Sequence, residues 1–512
     1  MNQGASAAES RQGALPLPLL RTSLIAALGA LASCSGGGDE FPSSKYAAKC
    51  ANPRSGVDPI TGAPFHDMRG STSDEKQWLR LWTDELYLWY REVPPADPAA
   101  FATPIGYFNV LKTPAITASG KPKDQFHFTS PTADWEALSQ SGTRAGYGVQ
   151  WVIVASTPPR RVVAAYNEPG SPAASAGIRR GAIVTAVDGV DVANGTDVGT
   201  INAGLFPSAP NETHALSILD PGASAQRMVT LVSAAVDSSP VLNVKTLTAD
   251  GGPVGYFLFN NHFASAEAAL IDAVNQLKGA AITDLVLDIR YNGGGYLEIA
   301  DQLAYMIAGP TPTAGKTFEK TIFNDKYPTV DPITGAPLAL PFLTTAVGLS
   351  APAHQRLPDL GLSRLFVLTG GQTCSASESI INGLRGVDIQ VIQIGSTTCG
   401  KPFGFYPQDN CGTTYFSIQT QGVNNKGFGD YADGFRPSGT DPASLPGCTV
   451  ADDFAHELGD ASESRLAAAL RYRVDGTCPP GSAALELSGT AFGSGAELVV
   501  KSPWEENRIY RR

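Results

Sequence analysis

The 512-residue sequence contains no run of lysine or arginine that could track a phosphate backbone, and its formal net charge of −11 comes from acids scattered along the chain. Nucleic acid is therefore not an expected partner. Histidine is scarce: the six residues are dispersed without ligand spacing and no C-x-x-C pair is present, so the sequence offers no metal site and requires no cofactor. No apolar run is long enough to cross a bilayer as a mature helix, the stretch from Leu24 to Leu31 being far too short. Nor is there a repeat architecture. The octapeptide V-D-P-I-T-G-A-P begins at Val57 and again at Val330, but two copies so far apart mark similar turns. What is present is ordinary globular material, with 43% apolar residues and a length that suits about two to four domains with real cores.

Arg11 and Arg21 precede the short apolar stretch, as in a targeting segment, and the stretch ends in Leu31-Ala32-Ser33-Cys34. This tetrad resembles the bacterial lipoprotein signal, whose small residues admit a signal peptidase to the bond before a lipidated cysteine. The resemblance implies a signal peptide over residues 1–33, a lipid on Cys34 and attachment to a membrane through it. Ser35, not Asp, follows Cys34, which by analogy with enteric bacteria implies the outer membrane of a bacterial cell envelope, facing the periplasm. Ser35-Gly36-Gly37-Gly38 and the residues after it suit a flexible tether and linker over residues 34–70.

From Thr72 the text T-S-D-E-K-Q-W-L-R-L-W-T-D-E-L-Y-L-W-Y-R-E-V-P predicts a helix, with Thr72 and Glu75 as a capping box and Pro94 as its stop. Leu79, Trp82, Leu86, Trp89, Tyr90 and Val93 fall on one stripe, for which core packing is the simpler use. They make a small helical N-terminal domain over residues 71–145. A β-rich module is expected over residues 146–236. Pro169-Gly170-Ser171 turns into a short helix over Ala173–Ala176, Gly177 caps it, and Ile183–Val187 is a strand closed by an Asp188-Gly189 turn. This order resembles a PDZ domain of bacterial proteases. The resemblance implies that Gly146, Tyr147, Gly148 and Val149 form the loop whose amides capture a peptide's C-terminal carboxylate, with a purely structural module as the plainer alternative. Strands at 254–259, 284–289, 365–368 and 390–394 then alternate with helices at 265–277, 296–307 and 375–384 in the α/β manner. They predict a catalytic domain over residues 237–480, followed by a tail over 481–512. The Pro- and Gly-rich stretch from Gly309 to Leu362 resists assignment.

Three punctuations of this region stand where a strand ends and a helix begins, the position active sites favour. In D-L-V-L-D-I-R-Y-N-G-G-G-Y, Asn292 and three glycines follow a buried strand. Glycines let the backbone turn sharply and leave its amides open to an oxyanion, although a lone triplet is more often a plain turn. In T-G-G-Q-T-C-S-A-S-E-S, Ser375 opens a helix whose free amides favour negative charge, where an isolated serine would more often be a simple cap. In I-G-S-T-T-C-G-K-P-F-G, Lys401 follows a strand. Gly395, Gly400 and Lys401 have the spacing of a phosphate-binding loop, but Pro402 stands where Ser or Thr must hold magnesium, and Pro402, Gly404 and Pro407 deny the helix that would follow.

Together, N-G-G-G, T-C-S-A-S-E and the G-K lysine, behind a PDZ-like module, resemble the C-terminal processing, or tail-specific, serine protease family from about Gly146 to Ile418. The resemblance implies a multidomain α+β fold: a small helical N-terminal domain, a PDZ-like β module and a ClpP/crotonase-like α/β catalytic core. It implies a serine endopeptidase acting on polypeptide substrates near their C-termini, with Ser375 as nucleophile, Lys401 as general base and Ser377 as a structural serine. The oxyanion donors would be the amides of Ala376 and of Gly293 or Gly294. Lys401 must then be neutral, whereas a free lysine titrates at about 10.4; lowering it to roughly 7–8 costs about 4 kcal/mol of stability. Phe403, Phe405 and Tyr406 could supply the apolar surroundings. No histidine is required, and none is expected near these motifs. Family members often carry a glutamine four residues beyond the lysine; Phe405 stands there, leaving Gln408 as a stand-in. The stretches after Lys401, including A-D-D-F-A-H-E-L-G-D, resemble a lipoprotein branch of the family. The rival reading is a non-catalytic ligand- or peptide-binding lipoprotein on the same fold, like the related retinoid-binding proteins of the eye; oligomeric state stays open. Seven cysteines in an exported chain suggest disulfides. With Cys34 assigned to the lipid and Cys374 set beside the nucleophile, Cys399 is expected to pair with Cys411 and Cys448 with Cys478, leaving Cys50 alone.

Overall fold

The computed structural model describes residues 41–59, 62–480 and 507–509. The signal segment and Cys34 lie outside the described residues. The expected tether over 34–70 ends early, because the chain is packed from Phe41 onward. Ser43 donates through its amide (2.7 Å) and hydroxyl (2.5 Å) to the buried Glu85, and Cys50 is disulfide-bonded to Cys411. Helix α1 (Thr72–Leu86) is capped by Ser71, whose hydroxyl accepts from the Asp74 amide at 3.2 Å, one residue before the expected box. It also stops well short of Pro94. Tyr87 turns extended while its hydroxyl donates to Asp124 at 2.7 Å, and the Leu88 amide donates to the Ile418 carbonyl at 2.8 Å. Partners distant in sequence thus outbid continuation of the helix. Trp78, Leu79, Trp82 and Leu86 pack with Phe108 and Tyr415, and β1 (Phe128–Pro131) pairs with a strand of the same distant region.

The β-rich module forms a sheet in the order β6-β5-β4-β3-β2, where β2 is Val149–Ala155, β3 Arg161–Asn167, β4 Ile183–Val187, β5 Thr213–Leu219 and β6 Arg227–Val232; helix α2 (Val198–Leu205) packs on it. Val162, Ala164, Val184, Leu216 and Ile218 point into one core with α2, the period-2 pattern of a half-buried sheet. Strand β2 is an edge.

The remaining elements are β7 (Val241–Leu247), β8 (Val254–Phe259), α3 (Ala266–Gly279), β9 (Asp284–Asp288), β10 (Gly294–Tyr296), α4 (Leu297–Ala308), β11 (Arg364–Thr369), α5 (Ala376–Gly386), β12 (Gln390–Gly395), β13 (Phe403–Gly404), β14 (Thr413–Phe416), β15 (Thr420–Val423), β16 (Gly447–Thr449), α6 (Ser464–Asp475) and β17 (Asn507–Ile509). The main sheet runs β7-β8-β9-β11-β12-β16, parallel throughout except for the antiparallel β7–β8 pair. Its strands read as continuous apolar runs because both faces are covered. Phe257, Leu285, Leu287 and Val367 face α3, α4 and α5, while Tyr256, Val286, Phe366 and Ile392 face α6. Each such side chain, once buried, contributes roughly 1.5–3 kcal/mol. The stretch that resisted assignment supplies a strand, Thr317–Ile322, paired with β15 and with Ala339–Pro341. Both octapeptides close the same way: Asp58 N to Ala63 O and Gly62 N to Asp58 O in one, Asp331 N to Ala336 O and Gly335 N to Asp331 O in the other.

Candidate active site

Strand β11 delivers the chain to a tight turn that begins α5. Thr373 Oγ1 donates to the Ile289 carbonyl (2.8 Å), while Cys374 N (3.0 Å) and Ser377 Oγ (3.1 Å) both donate to the Asn292 carbonyl. Ser377 is thereby structural, and the turn is fixed to the end of the neighbouring strand β9. Ser375 sits in it at φ 58°, ψ −115°, a conformation that costs a non-glycine residue about 1–3 kcal/mol. Its Oγ is fully buried and has no hydrogen-bond partner among the described residues. Ser375 opens the helix in a capping box with Glu378 while its backbone is held in strain.

One residue to which the sequence reading gave no role organises this turn. The buried Glu378 carboxylate accepts from the amides of Ser375 (2.9 Å), Gly400 (2.9 Å) and Lys401 (2.8 Å) and from Thr398 Oγ1 (2.5 Å). Burial pushes its carboxyl above the ordinary range, and these donors pull it partly back. The signal was legible: S-A-S-E from Ser375 has the S-x-x-E spacing of a capping box. A second clamp is covalent. Cys399 pairs with Cys374, not Cys411, because the Cys399 amide donates to the Thr373 carbonyl at 3.0 Å and brings the two Cα atoms to 5.2 Å. Cys411 instead meets Cys50 at the tip of the hairpin before β14, whereas Cys448–Cys478 forms as expected. Among the described residues six cysteines therefore pair, Cys50 included, which corrects the expectation that it stands alone. Cys374, Cys399 and Glu378 lie close enough together to suggest a metal site, but the two sulfurs are bonded to each other and offer no thiolate.

Lys401 is fully buried, with Nζ 4.5 Å from the ring centre of Phe126 and 4.7 Å from that of Phe405. Of the three aromatics expected around it, Phe405 is there. Phe403 packs edge-on against Trp89, and the Tyr406 hydroxyl donates to Asp331. Phe126, from the N-terminal domain, was not foreseen. Gln408 lies on a strand paired with β14, its amide on the Asp409 carbonyl at 3.3 Å.

On the glycine side, the Gly294 amide donates to Asn292 Oδ1 at 2.9 Å and is spent. The amides of Gly293 and Ala376 remain as candidate oxyanion donors. Gly295 has φ 138°, and a Cβ there would lie 2.7 Å from the His262 carbonyl, so only glycine fits. His262 corrects the expectation that no histidine lies near these motifs. It is fully buried, its Nδ1 is 3.1 Å from Asn292 Oδ1, its Nε2 has no hydrogen-bond partner among the described residues, and burial lowers it to about 3. Its amide donates to Gly294 O (3.0 Å) and its carbonyl accepts from Tyr296 N (2.9 Å).

In the β module, Gly146 ends a strand paired with Ala234–Val236 and Val149 opens edge strand β2. The Tyr147 side chain is buried, and its carbonyl accepts from Ala173 N at 2.9 Å; the Gly148 carbonyl accepts from Glu168 N at 2.7 Å. Gly148 has φ 68°, and a Cβ there would meet Ser171 Cβ at 2.3 Å. From β2, Gln150 Nε2 donates to Gln372 in the loop before Ser375 at 3.3 Å.

A PDZ module stands against a ClpP/crotonase-like core, behind a helical N-terminal domain, which makes this a multidomain α+β protein of the PDZ-bearing kind. Family models match in three places: Peptidase family S41 over residues 253–409, PDZ domain over 164–202 and Peptidase S41 N-terminal domain over 74–126. Over these segments the chain is similar to peptidase family S41, with the PDZ and N-terminal domains found in it. It is similar to a carboxyl-terminal-processing protease of Picosynechococcus sp., 28% identical over 209 residues, which covers 40% of this chain and 48% of that protein. A protein of the same name from Synechocystis sp. is 28% identical over 168 residues, 33% of this chain and 38% of that one. The matched regions thus span half or less of these curated relatives. A crystal structure of a putative S41 protease from Bacteroides fragilis superposes with a TM-score of 0.58 at 23% identity, covering 78% of this chain and 97% of that one; it shares the fold.

Proposed function

We propose that this protein is a serine endopeptidase in which Ser375 attacks the peptide carbonyl and Lys401 takes its proton. The observation that carries the reading is the double use of Glu378: one carboxylate holds the backbone amides of both Ser375 and Lys401, so the two side chains spring from a single rigid junction. In the acylation step Ser375 Oγ bonds to the carbonyl carbon while its proton passes to Lys401 Nζ, and the oxyanion faces the amides of Ala376 and Gly293. Collapse breaks the C–N bond, and the leaving amine takes the proton from Lys401. Water then attacks the ester with Lys401 again as base, restoring Ser375. Full burial of Ser375, Glu378 and Lys401 suits a base that must be uncharged.

His262 is the competing base, favoured by its unpartnered Nε2 beside the glycine turn. A ring titrating near 3 is a weak proton acceptor at neutral pH, which speaks for Lys401. Substrates are proposed to be envelope polypeptides cut near their C-termini, with Gly146 to Val149 of the PDZ module receiving the free carboxylate. Three disulfides support an oxidising compartment, and Leu31 to Cys34 support a lipid anchor.

The experiment combines a fluorophosphonate probe with hydrolysis of an unfolded substrate. Wild type should label and cleave, with a rate that rises with pH through a transition below about 10.4, the value of a free lysine. Ser375→Ala, Lys401→Ala and Lys401→Arg should each abolish turnover, and the double alanine variant should cost little more than either single one. His262→Gln should retain measurable turnover. Full activity in Lys401→Ala with none in His262→Gln would move the base to His262, and a chain that neither labels nor cleaves would be a binding protein on this fold.

A further inference from the structure

Strand β10 carries the glycine turn and has two edges. One is taken by His262, through the Gly294 carbonyl and the Tyr296 amide. The other carries β17, which runs parallel to it with Asn507 opposite Gly294, Arg508 opposite Gly295 and Ile509 opposite Tyr296. β17 also lies alongside α5, which Ser375 opens, and β13, which follows Lys401 and Pro402. A strand of this chain therefore lies between the oxyanion turn and the lysine loop, where the proposed reaction needs the substrate backbone.

We infer that residues 507–509 are a built-in occupant of the substrate cleft: extended polypeptide docks by adding a parallel strand to β10, and the chain's own strand competes with it for that edge. The inference rests on the peptidase reading for its consequence, although the pairing itself does not. Gly294 and Gly295 present backbone without side chains, so this edge selects an extended conformation more than a particular sequence. Parallel pairing through three residues is weak by itself. Covalent attachment changes the balance, because a tethered segment has an effective concentration on the order of 1 mM; against an intrinsic dissociation constant of about 0.1 mM it would fill the edge roughly ten to one. Removing it should then lower the apparent KM about tenfold and leave kcat alone.

The test compares the full chain, a variant lacking residues 507–512 and full-length Ile509→Pro, which removes the amide that the parallel register sets toward the Gly295 carbonyl. Both variants should hydrolyse an unfolded substrate with a KM about tenfold lower and an unchanged kcat. In parallel, a fluorescent peptide of sequence P-W-E-E-N-R-I-Y-R-R, residues 503–512, is titrated by anisotropy into two Ser375→Ala proteins, one full length and one lacking 507–512. It should bind the shortened protein at least about tenfold more tightly, the same occupancy ratio read from the other side. Equal binding to both, or none to either, or a KM that truncation leaves in place would overturn the inference. The binding arm needs no catalysis. If no protein hydrolyses the substrate while the binding difference persists, the peptidase reading falls and the self-occupied edge stands.

Discussion

Glu378 shows how much of the proposed site can depend on a residue outside the proposed dyad. Its two oxygens face three backbone amides and one hydroxyl, all donors, so the carboxylate cannot be exchanged for an amide without turning an NH2 group toward some of them. Each hydrogen bond to a charged group is worth about 1.5–3 kcal/mol, so Glu378→Gln should destabilise the fold by about 2–4 kcal/mol. Because the donors belong to the Ser375 and Lys401 backbones, kcat should fall on the order of a hundredfold with KM nearly unchanged, a drop matching about 2.7 kcal/mol of barrier. Steady-state kinetics beside urea unfolding would check this, and a lost stability with kcat intact would reduce Glu378 to a scaffold. At this scale the sequence was half legible. Ser375, Ser377 and Lys401 stood out because their motifs are local. The choice between Gly293 and Gly294 was not readable, because it turns on which way an amide points. His262 escaped because it meets Asn292 across a whole βα unit.

Among the elements, the long buried strands β8, β9, β11 and β12 and the helices between them were readable to within a residue or two, since a core covered on both faces leaves continuous apolar runs. The end of α1 was not, because Tyr87 is drawn out of the helix by Asp124 and Leu88 by Ile418, neither visible in local periodicity. Disulfide partners likewise follow from how loops stack. Cys374 and Cys399 lie on the two loops that bear the proposed dyad, 25 residues apart, and Cys448 and Cys478 lie 30 apart away from it. Chain entropy predicts nearly the same stabilisation for both, about 3–4 kcal/mol. This makes an internally controlled experiment. Cys374→Ala/Cys399→Ala and Cys448→Ala/Cys478→Ala should lose similar stability by thermal unfolding, but only the first pair should lose turnover, by about tenfold or more at a temperature where both are folded. Equal activity in the two would mean that the hydrogen-bonded clamp alone aligns the site.

Across the whole molecule, the PDZ module is pinned to the core by charges buried at their junction. Arg180, just after the module's short helix, donates to Asp452 Oδ1 (2.8 Å) and to the Tyr291 hydroxyl (2.8 Å), which itself donates to Asp452 Oδ2 (2.6 Å). Arg290 reaches the same Asp452 at 2.8 Å and is closed on its other sides by Asp288 and Glu463. Tyr291 directly precedes Asn292, so the junction abuts the glycine turn. The segment A-D-D-F-A-H-E-L-G-D announced itself only as a likeness to a family branch; nothing local said that its second residue would serve two arginines from two domains. Burial opposes charge on Asp452, but the neighbouring Arg465, Arg290 and Arg180 win and hold its carboxyl well below the ordinary range. A depressed carboxyl contributes stability above its unfolded value of about 3.9, and that contribution is lost as pH falls through the lower folded value. Asp452→Asn should remove it at every pH while leaving two buried guanidinium groups short of a counter-charge, at a cost of about 3–5 kcal/mol. Arg180→Met removes only the module's side of the contact, leaving Asp452 paired with Arg290, and should cost less. Measured by urea unfolding from pH 7 down to about pH 2, wild type should hold its advantage over Asp452→Asn to about pH 4 and lose it progressively below, the gap narrowing as acid is added. Parallel curves across that range would mean that Asp452 holds the domains together through shape and not through charge.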